Sequence, residues 1–160
     1  MSEPSSSLLD AGTVQSQVVD GVATIRFGHP KSNSLPGALL ALLAETITWI
    51  GKEPSTRVVV LRSEGTGPFC AGASFDEFKA IKTPEEGKKF FSGFAKVILA
   101  LVRCPCFVVT RVQGKTAGGG IGLVDEGELP RDGRRKVGLR PVHLERAGRR
   151  GEVEHPHLRG

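Results

Sequence analysis

Two stretches decide how this chain is read: Phe69-Cys70-Ala71-Gly72-Ala73-Ser74-Phe75-Asp76-Glu77-Phe78 and Val112-Gln113-Gly114-Lys115-Thr116-Ala117-Gly118-Gly119-Gly120-Ile121-Gly122. Each runs from an apolar segment through a small-residue turn toward a helix start. Small residues let another molecule approach the backbone closely. A helix start leaves amide N–H groups unpaired and slightly positive. Two such amides converging on one oxygen make an oxyanion hole. Glycine also serves ordinary tight turns, so spacing alone leaves both readings open.

Outward from these stretches the chain alternates strands and helices, which points to an α/β protein. Gln15 to Val19 and Val22 to Phe27 read as strands joined by Asp20-Gly21, a strong hairpin signal. After a turn-rich loop, Pro36 suits the first turn of a helix. Leu39, Leu43, Ile47 and Ile50 follow at helical spacing, and Gly51 marks its stop. Arg57 to Arg62 reads as a buried strand. Ser74 reads as an N-cap with Glu77 as its capping-box partner, and Thr83 and Glu86 repeat the pattern with Pro84 at the first helical position. The next helix carries Phe90, Phe94, Val97, Ile98 and Leu101 on one face. Pro105 ends it, and Cys106 to Val112 reads as another buried strand.

Past Val124 the composition changes. Residues 125–160 carry nine Lys or Arg and seven Asp or Glu, with Gly and Pro scattered among them. Such a segment buries too little apolar surface to offset its ordering entropy. Three regions are therefore expected: a flexible N-terminus (1–12), a folded body (13–124), and a disordered or irregular charged tail (125–160). The Arg-, Gly- and Pro-rich tail is also what a GC-rich gene yields when read out of frame, so a frameshift near Val124 is a working hypothesis.

Composition excludes several classes. The net charge of +5 is modest, aromatics make up 6% and Tyr is absent, which argues against a nucleic-acid surface. Nine bases against seven acids in the tail argue against a nucleic-acid-binding arm. Cys70, Cys104 and Cys106 form no disulfide framework and no four-ligand metal pattern, and His155-Pro156-His157 has no partners, so no metal is expected. Gly114-Lys115-Thr116 imitates a P-loop ending, but Val109 stands where its first Gly belongs; Leu123 fails the last Gly of the dinucleotide fingerprint. No apolar run is long enough for a membrane span, and Met1 to Gly12 has no signal-peptide pattern. A cytoplasmic protein is expected.

Phe69 to Phe78 resembles the enoyl-CoA hydratase/isomerase (crotonase) motif in which Ala-Gly-Ala-Asp leads into a short helix. Gln113 to Gly120 resembles that family's Asn-Gly or Gln-Gly turn and triple glycine, and Lys31 to Leu35 its Asn-Ala-Leu loop. The resemblance covers about Val14 to Val124, the N-terminal half of such a protein. It implies a spiral of ββα turns, an acyl-CoA thioester substrate whose coenzyme A is no separate cofactor, and a homo-oligomer, a trimer or hexamer. Ala73 and Gly119 would supply the backbone N–H pair that holds the thioester oxygen and stabilises an enolate. Lys31, Ser32, Asn33, Ala71, Gly72, Ser74, Phe75, Asp76 and Gly118 would lie along the substrate, with a solvated surface charge as the other reading of Lys31. Two positions depart from the pattern. Ser74 stands for the Asp, and Gly122 stands where hydratases carry a catalytic Glu. The second catalytic Glu would lie beyond Val124, and no acid of the tail aligns with it. A catalytically inactive fragment or pseudoenzyme is therefore the alternative to an enzyme.

Overall fold

The computed structural model describes residues 12–125. The expectations for residues 1–11 and 126–160, including the irregular tail and the frameshift, lie outside the described residues.

Strands β1 (Thr13–Val19) and β2 (Val22–Gly28) form an antiparallel hairpin in which Val19 pairs with Val22. Its two-residue turn needs positive φ at both central positions. Asp20 (φ 50°) and Gly21 (φ 81°) provide it. Then come β3 (Ser34–Leu35), α1 (Gly37–Lys52), β4 (Val58–Ser63), β5 (Gly72–Ala73), α2 (Phe75–Ala80), α3 (Pro84–Arg103) and β6 (Phe107–Arg111). A 3-10 turn, Gly118–Ile121, leads into α4, Gly122–Asp125. The main sheet has the order β1-β2-β4-β6, parallel beyond the hairpin, and β3 pairs with β5 in a small parallel sheet.

Alternation along the strands divides the sheet into two faces. Ala23, Ile25 and Phe27 on β2, with Val59 and Leu61 on β4, are buried beneath Leu39, Leu40, Leu43, Ile47 and Ile50 of α1. Helix α3 completes this layer with Phe94, Val97 and Leu101. The helices approach closely where side chains are missing: a Cβ on Gly93 would stand 2.8 Å from Leu40 Cδ1, and one on Gly51 2.7 Å from Cys104 Sγ.

Four details of the sequence reading change. Pro36 is the N-cap of α1, with extended backbone (ψ 156°), and the helix proper starts at Gly37. Gly51 does not stop that helix, which continues through Lys52; the glycine instead makes room for Cys104. Arg57 to Arg62 is buried on one face only, since β4 alternates half-buried with buried residues. Cys106 to Val112 narrows to β6, which lies at the edge of the sheet among the described residues and leaves Phe107 54% exposed. An apolar run cannot reveal that a strand has a neighbour on one side alone.

Candidate functional site

Strands β2, β4 and β6 run in one direction, so the loops leaving their ends emerge at the same edge of the sheet. Ligands of open parallel sheets bind at such an edge. These loops are 28–35, 64–74 and 112–120, and they contain every candidate substrate-site residue of the sequence reading except Phe75 and Asp76, which open α2.

Backbone bonds hold the loops side by side. Phe69 N–H donates to Lys115 O (2.8 Å) and Ala117 N–H to Cys70 O (2.9 Å), with a parallel bridge between Cys70 and Thr116. On the other side Ala71 N–H donates to Asn33 O (3.3 Å) and Ser74 N–H to Leu35 O (3.1 Å). The middle loop is thus clamped between the other two. Gly72 (φ 96°) and Gly118 (φ 53°) meet backbone to backbone, and a Cβ on Gly72 would stand 3.2 Å from Ala117 O and 3.7 Å from Gly118 Cα. Both positions favour glycine by their positive φ, and Gly72 also for space.

Successive amides of extended chain point to opposite sides. Ser74 N–H points to β3, so extended geometry turns the preceding Ala73 N–H away from β3. The first bond of the 3-10 turn is Gly120 N–H to Ala117 O; Gly119 O accepts from Gly122 N–H, while the Gly118 and Gly119 N–H groups donate no backbone hydrogen bond among the described residues. Gly119 is exposed, and a Cβ there would stand 2.6 Å from the Phe94 ring. Gly120 is buried against Cys70, whose Sγ would be 2.7 Å from an added Cβ. Burial pushes the Cys70 thiol up to about 11, against a smaller lowering by its bond from Gly72 N–H. It behaves as a small apolar group under the turn.

The remaining side chains fall into separate roles. Asn33 (φ 55°) is buried: its Nδ2 donates to Glu64 O (3.0 Å) and Pro68 O (2.9 Å), and its Oδ1 accepts from His29 N–H (2.9 Å). Its amide staples two loops, so its side chain positions the site. Ser32 (φ 55°) is exposed beside it. Lys31 Nζ meets Asp76 Oδ2 at 2.6 Å, with both side chains exposed. The hydrogen bond from Lys31, then its charge, holds Asp76 below the usual carboxylate range. Ala71 is exposed and Phe75 is 65% exposed, with Lys79 Nζ 4.7 Å from its ring centroid.

Ser74 caps α2, its Oγ accepting from Glu77 N–H at 3.4 Å, but the expected capping box is not closed. Ser74 N–H is already bonded to Leu35 O, and the Glu77 carboxylate turns instead to Gly37 N–H (2.8 Å). Pro36 offers α1 no capping side chain, so Glu77 satisfies a donor the sequence left open. The sequence reading named Gln113 but missed its bond: its Nε2 donates to Ser63 Oγ (2.6 Å) and ties the third loop to β4. No local pattern announces a bond between residues so far apart.

Gly122, at the first position of α4, packs on Ile98: a Cβ there would stand 2.5 Å from Ile98 Cδ1. A separate cavity of about 610 Å³ opens beside α1, α2 and α3, with Ala38, Ala41, Ile81, Phe90 and Lys96 in its walls and the Gly37–Glu77 contact at its rim. None of Ala73, Gly118 and Gly119 lines it. No group of His, Cys, Asp and Glu able to hold a metal occurs among the described residues, and none of their helices is long and apolar enough to cross a membrane.

Comparison with known proteins follows the same boundaries. The enoyl-CoA hydratase/isomerase family matches residues 17–125. The chain is 34% identical over 110 residues to the (7aS)-7a-methyl-1,5-dioxo-2,3,5,6,7,7a-hexahydro-1H-indene-carboxyl-CoA hydrolase of Rhodococcus jostii, covering 69% of this chain and 42% of that one. It is 32% identical over 91 residues to the mitochondrial methylglutaconyl-CoA hydratase of Rattus norvegicus, covering 57% and 29%. Among solved structures it is similar to enoyl-CoA hydratase from Bacillus anthracis, with a TM-score of 0.62, 30% identity, and coverage of 71% of this chain and 43% of that one. The chain thus spans less than half the length of these relatives. With a matched segment from the hairpin of β1 and β2 through the first turn of α4, and a structure similar to solved relatives, the chain belongs to the enoyl-CoA hydratase/isomerase family and carries the N-terminal half of its crotonase-like fold.

Proposed function

We propose that the Ala73 and Gly119 amides form an oxyanion hole for the carbonyl of an acyl-CoA thioester. The observation that carries this reading is the backbone contact of Gly72 with Gly118, which brings a strand end and a helix start together. Two preorganised donors stabilise negative charge as a thioester carbonyl becomes an enolate, and one such donor contributes about 3 kcal/mol to the transition state. Loops 31–33 and 71–76 would run along the substrate, with coenzyme A part of that substrate. Names of relatives acting on CoA thioesters support the substrate class. The trimeric or hexameric assembly belongs to the full-length family and is proposed for a full-length form only.

A second reading, an acyl-CoA-binding but catalytically inactive chain, is favoured by Gly122. It has no side chain to carry a proton, and its neighbour Ile98 is apolar. Hydration needs an acid or base within reach of the substrate; of the carboxylates in and beside the site loops, Asp76 is exposed and paired with Lys31, and Glu64 lies over Gly28.

Thermal unfolding with acetoacetyl-CoA tests the binding site, since a ligand that binds only the native state raises its stability. The expected outcome is a rise in Tm that disappears in Gly119→Pro, which lacks the donor. A folded wild-type sample with no response would exclude the site. On crotonyl-CoA no hydration is expected; turnover lost in Gly119→Pro would restore the enzyme reading.

A further inference from the structure

The face of the main sheet turned away from α1 carries a line of three arginines. Arg26 pairs in register with Arg62, and Arg62 with Arg111, so one guanidinium stands on each of three adjacent strands. Partners in register project from the same face, and neighbouring strands lie about 4.8 Å apart. Three like charges so placed repel one another. Among the described residues none of them has an ion pair or a side-chain hydrogen bond. A second observation is independent of the charge count. Arg62 Nε, in the middle of the line, is out of solvent and has no hydrogen-bond partner. A buried N–H without an acceptor costs stability, and here it sits between two further donors.

We infer that Arg26, Arg62 and Arg111 form a binding site for a small anion carrying two or more linked phosphate groups. The guanidinium fork matches phosphate oxygens in paired bonds. The extent of the line sets the size of the ligand. It spans two strand spacings, roughly 10 Å, the scale of a short polyphosphate. The adjacent rows of this face are neutral: Gln17, Thr24, Val60 and Val109, then Val19, Val22, Val58 and Phe107. On the other side Glu64 reaches over Gly28, where an added Cβ would stand 2.5 Å from its Oε2. A nucleic acid needs positive charge along several phosphates of its path, and this face offers one line bounded by neutral and acidic residues. The site lies on the opposite face from Phe94 and Ile98, against which Gly119 and Gly122 pack, so it is separate from the proposed oxyanion hole.

Isothermal titration of the whole chain with inorganic tripolyphosphate, at fixed ionic strength, tests the inference. Orthophosphate and citrate serve as comparison ligands. Tripolyphosphate should bind and should bind more tightly than either. Arg62→Gln and Arg111→Gln should each weaken it by about tenfold or more, the loss of one or more charge-assisted bonds. Arg111 is exposed, so its variant keeps the test sound if Arg62→Gln disturbs folding. Arg103→Gln, at the exposed end of α3, should leave binding unchanged. Absence of binding, equal binding by the arginine variants, or citrate binding as well as tripolyphosphate would overturn it. The acetoacetyl-CoA response of Gly119→Pro is read independently of all these arms.

Discussion

Asn33 shows how one side chain can hold a site without touching its ligand. Replacing it by Ala leaves the carbonyls of Glu64 and Pro68 and the amide of His29 without their partner. Loss of stability of about 2–4 kcal/mol is expected from such stranded groups, measurable by urea unfolding. An unchanged midpoint would show that water replaces the amide. Gly114 is equally constrained, since a Cβ there would stand 2.3 Å from Gly67 O, a backbone atom that cannot swing aside. Gly122 differs: its obstacle is the mobile tip of Ile98. Gly114→Ala should therefore cost more stability than Gly122→Ala, which also gains about 1 kcal/mol of helix propensity; the reverse order would contradict these two packing arrangements. Cys70 supplies a pH test. Its thiol is held neutral in the folded state up to about 11, against an ordinary value of 9.0. Unfolded chains release that proton first, so the contribution is complete below pH 9 and is lost as pH rises toward 11. The loss is of the order of 2–3 kcal/mol, and Cys70→Ala should flatten that part of a stability–pH profile.

At the scale of elements, the legible features were those whose cause is local. The hairpin at Asp20-Gly21 and the capping box of Thr83 and Glu86, with Pro84 at the helix start, are written within a few residues and occur as read. The glycine-rich turns were legible as turns, while their contact, Gly72 against Gly118, depends on three strands sharing a direction. What escaped was long-range. Glu77 has the spacing of a capping-box partner for Ser74, yet it serves Gly37, because the Ser74 amide already belongs to Leu35. The edge position of β6 escaped for the same reason, since it depends on neighbours rather than on Val108 and Val109 themselves. Glu77→Ala should therefore destabilise two helices through one bond, at a cost of about 1 kcal/mol, typical of a lost cap. A double-mutant cycle with Ser74→Ala separates the contributions: coupling is expected because both residues fix the start of α2, and strict additivity would place Glu77 in α1 alone.

For the whole molecule, the edge of β6, unpaired among the described residues, and exposed Phe107 predict self-association, since an unpaired strand edge templates another chain. Sedimentation of the 160-residue chain should show mass rising with concentration, and Phe107→Lys should reduce it; a monodisperse monomer at high concentration would argue that this edge is covered. The three loops at the other end of the strands behave in the opposite way, because each is bonded to the next. One part of them stands clear: Gly65 (φ 79°) and Gly67 would meet nothing within 4 Å if given a Cβ, although Gly67 O lies close beside Gly114. The tip at Gly65 and Thr66 is thus mechanically decoupled from the clamp formed by Asn33, Cys70 and Ala117. A short peptide epitope spliced between those two residues should leave the acetoacetyl-CoA response intact, giving a handle for capturing the folded chain.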